Sequence, residues 1–261
     1  VNIFIIISIT AGTSTANKIS NSTRPKVLIN NPYVPQIASD LLSECCEIIT
    51  IQNETREEIL SKIKGVDALL WASHLKIDKD MLDAAGSQMK TIGAMSAGYD
   101  HIDLKELKKR GIKLGNTPKV LNGKELGAKF VPLEDADKLT KESDFIFVSV
   151  PLTAETEGMC NADFFAKMKK TAVFVNTSRG KVVDQKALVK ALKEGQIFAA
   201  GLDVMTPEPL PPTDELLTLP NVVLMPHWGS ATIKTRDDMA VLTAKNIING
   251  LKGDAMLTPV V

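Results

Sequence analysis

Strands and helices alternate along most of this chain, which predicts an α/β fold of two parallel-sheet domains. Three observations carry that prediction. Short apolar runs recur, each followed by a stretch with helical spacing. Residues 144–150, 172–176 and 199–204 are near-continuous apolar runs, the pattern of strands buried on both faces. The rhythm breaks between Pro118 and Lys129, which divides the chain into two halves.

In the first half, residues 27–29 form the opening strand, and 36–45 a helix with Ile37, Leu41 and Leu42 on one side. Residues 48–51 are the next strand, and 56–63 a helix with Thr55 as N-cap ahead of Glu57 and Glu58. A third strand at 67–71 precedes a helix at 79–85 closed by Gly86. Strands at 90–95 and 113–115 flank a helix at 104–110 closed by Gly111. The second half has strands at 144–150, 172–176, 199–204 and 222–225, with helices at 162–169 and 185–193 between them. Asp184 caps the second of these helices and Gly195 ends it. Residues 231–251 read as one long helix with Met239, Leu242, Ile247 and Leu251 on its apolar side.

Residues 1–24 read as an appendage outside the fold. The apolar run at 1–9 is too short to span a bilayer and lacks the basic stretch of a secretory leader. Asn21-Ser22-Thr23 is a glycosylation acceptor only in a secreted chain.

Lys+Arg and Asp+Glu balance at 31 each, which argues against nucleic acid or an anionic membrane as partner. The basic cluster Lys105, Lys108, Lys109 and Arg110 reads as a solvated helix face. Cys45, Cys46 and Cys160 have no metal-ligand spacing, so no metal site is expected. They read as small buried hydrophobes in a reducing, cytoplasmic setting.

Reducing a 2-oxo acid requires a bound carboxylate, a polarised carbonyl, a proton donor and a hydride source. Arg179 suits the first two, because its planar fork can hold both oxygens and stays charged. It follows a predicted strand directly, at the carboxyl end where open α/β sheets bind ligands. His227 follows another strand in the same way, and histidine is the natural donor to a developing alkoxide. Glu208 lies between them in sequence and can hold the imidazole in its donor tautomer. Each has an ordinary alternative: a helix-end salt bridge for Arg179, a satisfied loop residue for His227, a solvated carboxylate for Glu208. Together, in this order, they point to chemistry.

The chain resembles the D-isomer-specific 2-hydroxyacid dehydrogenases, most closely the glyoxylate reductase/hydroxypyruvate reductase branch. The resemblance rests on Met95-Ser96-Ala97-Gly98-Tyr99-Asp100-His101, Asn116-Thr117-Pro118, Pro151-Leu152-Thr153 and Asn176-Thr177-Ser178-Arg179-Gly180. It continues in Gly201-Leu202-Asp203-Val204, Pro207-Glu208-Pro209 and Pro226-His227-Trp228-Gly229-Ser230-Ala231-Thr232. It implies that Arg179, Glu208 and His227 are the catalytic set. It implies that Ser96, Ala97 and Gly98 offer backbone amides to the substrate carboxylate. Thr177, Asp203 and Gly229 would lie along the nicotinamide of NADP or NAD, with Val150 and Pro151 beside the adenosine half. The implied domains are a flavodoxin-like substrate domain at 25–118 plus 231–261 and an incomplete Rossmann domain at 119–230. The family is homodimeric.

One departure is equally specific. The 16 glycines never fall as Gly-x-Gly, so the phosphate-binding fingerprint is absent. Residues 119–122 run almost directly into a segment resembling the family's sequence after its second Rossmann strand. A βαβ unit takes about 30 residues or more, so the sheet lacks at least its first mononucleotide-binding strand, and the dimer segment is missing with it. Gly123-Lys124-Glu125-Leu126-Gly127 is no substitute, because its spacing is wrong and Glu125 would oppose a phosphate. Two expectations follow: impaired NAD(P) binding with little turnover, and an unpaired, aggregation-prone edge at 144–150. Against an active 2-oxo acid reductase stands a catalytically defective splice product or decayed copy. A third reading, a protein-interaction role, has no docking feature in the sequence to support it.

Overall fold

The computed structural model describes residues 3–6, 24–118 and 136–261. It divides into two compact units, Val1–Ile9 with Val120–Ser230 and Thr10–Lys119 with Ala231–Val261. Each holds a five-stranded parallel sheet among the described residues. The junction at 119–130, with Gly123 and Gly127, and the Asn21–Thr23 acceptor lie outside the described residues.

The strands begin with β1 (Ile3–Ile6), β2 (Lys26–Ile29) and β3 (Glu47–Thr50), and continue with β4 (Ala68–Trp71), β5 (Thr91–Ala94) and β6 (Lys113–Gly115). Helices α1 (Gln36–Ser43), α2 (Arg56–Lys62), α3 (Lys79–Ala85) and α4 (Leu104–Arg110) connect β2 to β6 in alternation. The sheet order β3-β2-β4-β5-β6 is the flavodoxin-like order of a doubly wound sheet. Its central strands are mostly apolar and buried on both faces, with Lys26 and Thr91 as the polar exceptions. Leu28, Leu69, Trp71 and Ile92 pack with Ile59, Met81 and Leu107, while Val27, Ile29 and Leu70 pack with Leu42, Ala244 and Ile247.

The caps follow the sequence. Thr55 accepts from the Glu58 amide, and Asp103 accepts from the Lys105 and Glu106 amides. Gly111 ends α4 in the left-handed region, where glycine has no Cβ to strain. Of the basic cluster, Lys105 lies in the first turn of α4 and Lys108, Lys109 and Arg110 in the last, with Arg110 paired to Asp83 and Glu106, and Lys109 paired to Glu106. Cys46 and Cys160 are buried, and burial pushes both thiols up to about 12.

The other unit continues with α5 (Ala136–Glu142), β7 (Phe145–Val148), α6 (Ala162–Lys167) and β8 (Val173–Asn176). Then come α7 (Gln185–Lys193), β9 (Ala199–Leu202) and β10 (Val222–Leu224). The last helix, α8 (Ile233–Lys252), belongs to the unit that holds β2 to β6 and packs against α1, β4 and β5 there.

Here the structure corrects three expectations. Residues 1–24 are not wholly outside the fold, since β1 pairs in parallel with β7, from Ile3 opposite Phe145 to Ile6 opposite Val148. The edge at 144–150 is therefore paired rather than bare. A strand buried at the centre of a parallel sheet needs backbone partners on both sides, and the apolar run at the amino end supplies them. Third, β7, β8 and β9 are fully buried on one face only. Ile146, Val148, Phe174, Asn176, Ala200 and Leu202 are buried, whereas Phe145, Phe147, Val173, Val175, Ala199 and Gly201 are part-exposed. Among the described residues, the core against the buried face is filled from α6 and α7, with Phe165, Leu188 and Leu192.

Candidate active site

Parallel strands deliver their connecting loops to one sheet edge, so residues distant in sequence meet at the strands' carboxyl ends. Thr177 and Arg179 follow β8, Asp203 follows β9, and His227 follows β10. Val150 and Pro151 follow β7, where Val150 is buried in the unit's core and the Pro151 carbonyl accepts from Thr156 Oγ1 at 2.6 Å.

His227 Nδ1 lies 3.0 Å from Glu208 Oε2, with both side chains about one-third exposed. Glu208 Oε1 accepts from the Met205 amide at 2.9 Å, which fixes the carboxylate. An ionised carboxylate only accepts, so Nδ1 carries the shared proton and Nε2 is the atom able to give or take one. The Thr206 amide donates to Gln185 Oε1 at 2.9 Å, tying this loop to α7.

The backbone at His227 is left-handed, with φ +59. A non-glycine residue there costs on the order of 1 kcal/mol, so other contacts must hold it. They come from Asp203. Its carbonyl accepts from the His227 amide at 2.9 Å, and its two carboxylate oxygens accept from Trp228 at 2.6 Å and Gly229 at 2.8 Å.

Arg179 is set by Asn176, which sequence reasoning left without a role of its own. Asn176 is buried; its Oδ1 accepts from the Ser178 amide and hydroxyl, and its Nδ2 donates to the Arg179 carbonyl at 2.9 Å. Arg179 Nη1 donates to the Ser178 carbonyl at 3.0 Å. The signal for this role was the buried polar residue ending an apolar strand. In the other unit, the Ser96–Gly98 turn follows β5, with Ser96 Oγ donating to the Gly98 carbonyl at 2.6 Å and Asn116 Nδ2 to the Ala97 carbonyl at 2.8 Å.

Gly180 brings the Arg179 loop against the Glu208 loop. A Cβ there would overlap the Met205 carbonyl, a backbone group that cannot swing aside. Gly180→Ala is expected to destabilise the protein by about 1–3 kcal/mol, read as a lower urea midpoint; an unchanged midpoint would show that the two loops are not in contact.

The model for the D-isomer specific 2-hydroxyacid dehydrogenase NAD binding domain matches residues 78–229. The chain belongs to this dehydrogenase family. Among its relatives, the glyoxylate reductase/hydroxypyruvate reductase of Mus musculus is 38% identical over 284 residues, covering 77% of this chain and 86% of that protein. The glyoxylate reductase of Thermofilum pendens is 35% identical, covering 88% of this chain and 93% of that one. Among solved structures, a Thermus thermophilus protein superposes with TM-score 0.76 at 28% identity, covering 90% of this chain and all of its own. The fold is also that of a Sinorhizobium meliloti NADPH-dependent glyoxylate/hydroxypyruvate reductase in complex with NADP and malonate, with TM-score 0.77 at 24% identity over 92% of this chain and 97% of that one.

The mouse alignment is longer than the 261-residue chain although only 77% of the chain takes part, so this dehydrogenase lacks a substantial internal stretch that its relative has. The sheet shows where that matters. In the doubly wound order 3-2-1-4-5-6 the first strand, which carries the Gly-rich turn, lies beside the fourth. Strands β7, β8, β9 and β10 follow one another in space as in sequence, so β1 sits at the first strand's position. The sequence after β1, Ile7-Ser8-Ile9-Thr10-Ala11-Gly12, holds one glycine and no Gly-x-Gly spacing. Thr177, Asp203 and Gly229 lie in the segments after β8, β9 and β10.

Proposed function

We propose that this chain is a 2-oxo acid reductase of the glyoxylate/hydroxypyruvate type, forming the D-2-hydroxy acid, with weakened affinity for NADPH or NADH. The observation that carries it is the His227–Glu208 pair, held at the carboxyl end of the sheet with Arg179 two strands away. Arg179 binds the substrate carboxylate and polarises the neighbouring carbonyl. His227 Nε2 gives its proton to the carbonyl oxygen as negative charge develops there, and Glu208 keeps the ring in register through Nδ1. Reduced nicotinamide, when bound, supplies the hydride. Thr177, Asp203 and Gly229 are assigned to its ring end, and Val150 and Pro151 to the adenosine side.

The three free cysteines support a cytoplasmic setting. Among the described residues no helix is long and apolar enough to cross a membrane. The family's homodimer contact is assigned to the missing stretch, so we expect the chain to be monomeric.

Weak cofactor binding follows from the absent cradle. Each backbone amide lost from a phosphate removes a charge-assisted hydrogen bond of about 1.5–3 kcal/mol, so two such losses weaken binding on the order of 10²–10⁴-fold. Titration with NADPH, followed by cofactor fluorescence, is expected to show no saturation at micromolar concentration. NADPH oxidation with glyoxylate or hydroxypyruvate is expected only at millimolar cofactor. Micromolar binding would remove the weakened-affinity part of the reading; no oxidation at any cofactor concentration would remove the reductase itself.

A further inference from the structure

Asp203 does more in this structure than lie beside a cofactor ring. Three of its oxygen atoms accept successive backbone amides: the carbonyl takes His227, Oδ1 takes Trp228 and Oδ2 takes Gly229. Its own amide donates to the Asn176 carbonyl at 3.0 Å, so the residue is anchored to β8 while it grips the loop after β10. His227, between Pro226 and Trp228, is the one non-glycine residue with positive φ among the described residues. A histidine in that conformation relaxes toward the extended or helical region unless its flanking amides are tied down.

We infer that Asp203 is the positioning residue of this site: its carboxylate clamps the Trp228 and Gly229 amides and so holds His227 in the left-handed turn that brings Nδ1 to Glu208. The role rests on the reductase reading only for its catalytic consequence; the clamp exists in the resting protein. It also explains why an acidic residue belongs at the end of β9. A charged acceptor makes stronger hydrogen bonds to amides than a neutral one, and one carboxylate can accept two amides at once where an amide side chain has a single acceptor oxygen.

The test separates the clamp from the chemistry. Amide hydrogen exchange of Trp228 and Gly229 is measured by NMR in the intact chain and in Asp203→Asn and Asp203→Ala. In Asp203→Asn one of the two amides is expected to lose protection by at least about tenfold, and in Asp203→Ala both, because a hydrogen bond to a charged acceptor is lost. The amides of Val175 and Gly201, on β8 and β9, serve as controls for the fold and are expected to keep theirs. The proton on His227 Nδ1 is expected to broaden in both variants as the Glu208 contact loosens. Where the chain turns over, kcat falls in Asp203→Asn while the KM for the 2-oxo acid stays near its original value. Unchanged protection of both amides with intact controls would overturn the clamp. A chain that never turns over but shows the exchange pattern would retain the clamp and lose the reductase.

Discussion

Inserting a strand–Gly-x-Gly-x-x-Gly–helix unit between Asn122 and Gly123, in a chain stripped of residues 1–23, is expected to raise NADPH affinity on the order of 10²–10⁴-fold. The glycine turn lets backbone amides at a helix N-terminus approach the diphosphate, which side-chain changes at the nicotinamide end cannot reproduce. Deleting the amino end is part of the design, because β1 pairs with β7 at the position the inserted strand must take. Two strands cannot share one hydrogen-bonding edge. The insert without the deletion is therefore expected to gain less. Isothermal titration with NADPH reads the result; a folded variant carrying both changes, with unchanged affinity, would show that the diphosphate is not what the present chain fails to hold.

In that restored chain, His227→Ala is expected to lower kcat on the order of 10²–10⁴-fold with the KM for glyoxylate little changed. Proton donation matters only as the carbonyl oxygen gains charge, so its loss is felt at the transition state rather than in substrate binding. Glu208→Gln is expected to act in the same direction. A glutamine can present an N–H to His227 Nδ1, which would reverse the tautomer and leave Nε2 carrying the proton of a neutral ring, a far poorer acid. Steady-state rates over the two variants check both, and a His227→Ala chain with full turnover would refute the assignment of the proton donor.

Most of the fold was legible because local signals and burial agree. Thr55 and Asp184 cap the helices they precede, and Gly111 ends its helix with positive φ. Helix α5 was not legible, since Ala136-Asp137-Lys138-Leu139-Thr140-Lys141-Glu142 has too few apolar positions to show a period. The pairing of β1 was hidden for a different reason. A run of isoleucines separated from the rest by a polar stretch looks like an appendage, and only the partner strand reveals its use. The continuous runs of β7 to β9 predicted burial on both faces, yet periodicity within a strand cannot tell whether anything covers the second face.

The candidate residues were legible as types: Arg179 and His227 follow strand ends, where parallel sheets place their loops, and Glu208 lies between them in sequence. Their supports were not. Asn176 beneath Arg179, Gln185 beneath Thr206 and the grip of Asp203 on the turn at His227 link residues up to 26 apart in sequence, and hydrogen bonds of that reach leave no periodic trace.

Sequence by itself determined the α/β class, the order of the motifs and the absence of Gly-x-Gly spacing, because composition, caps and glycine spacing are properties of the linear chain. Tertiary structure alone decided which strand stands beside β7, and what holds His227 in its turn. Backbone amides and carbonyls are the same in every residue, so which of them pair is settled only when the chain has brought them together.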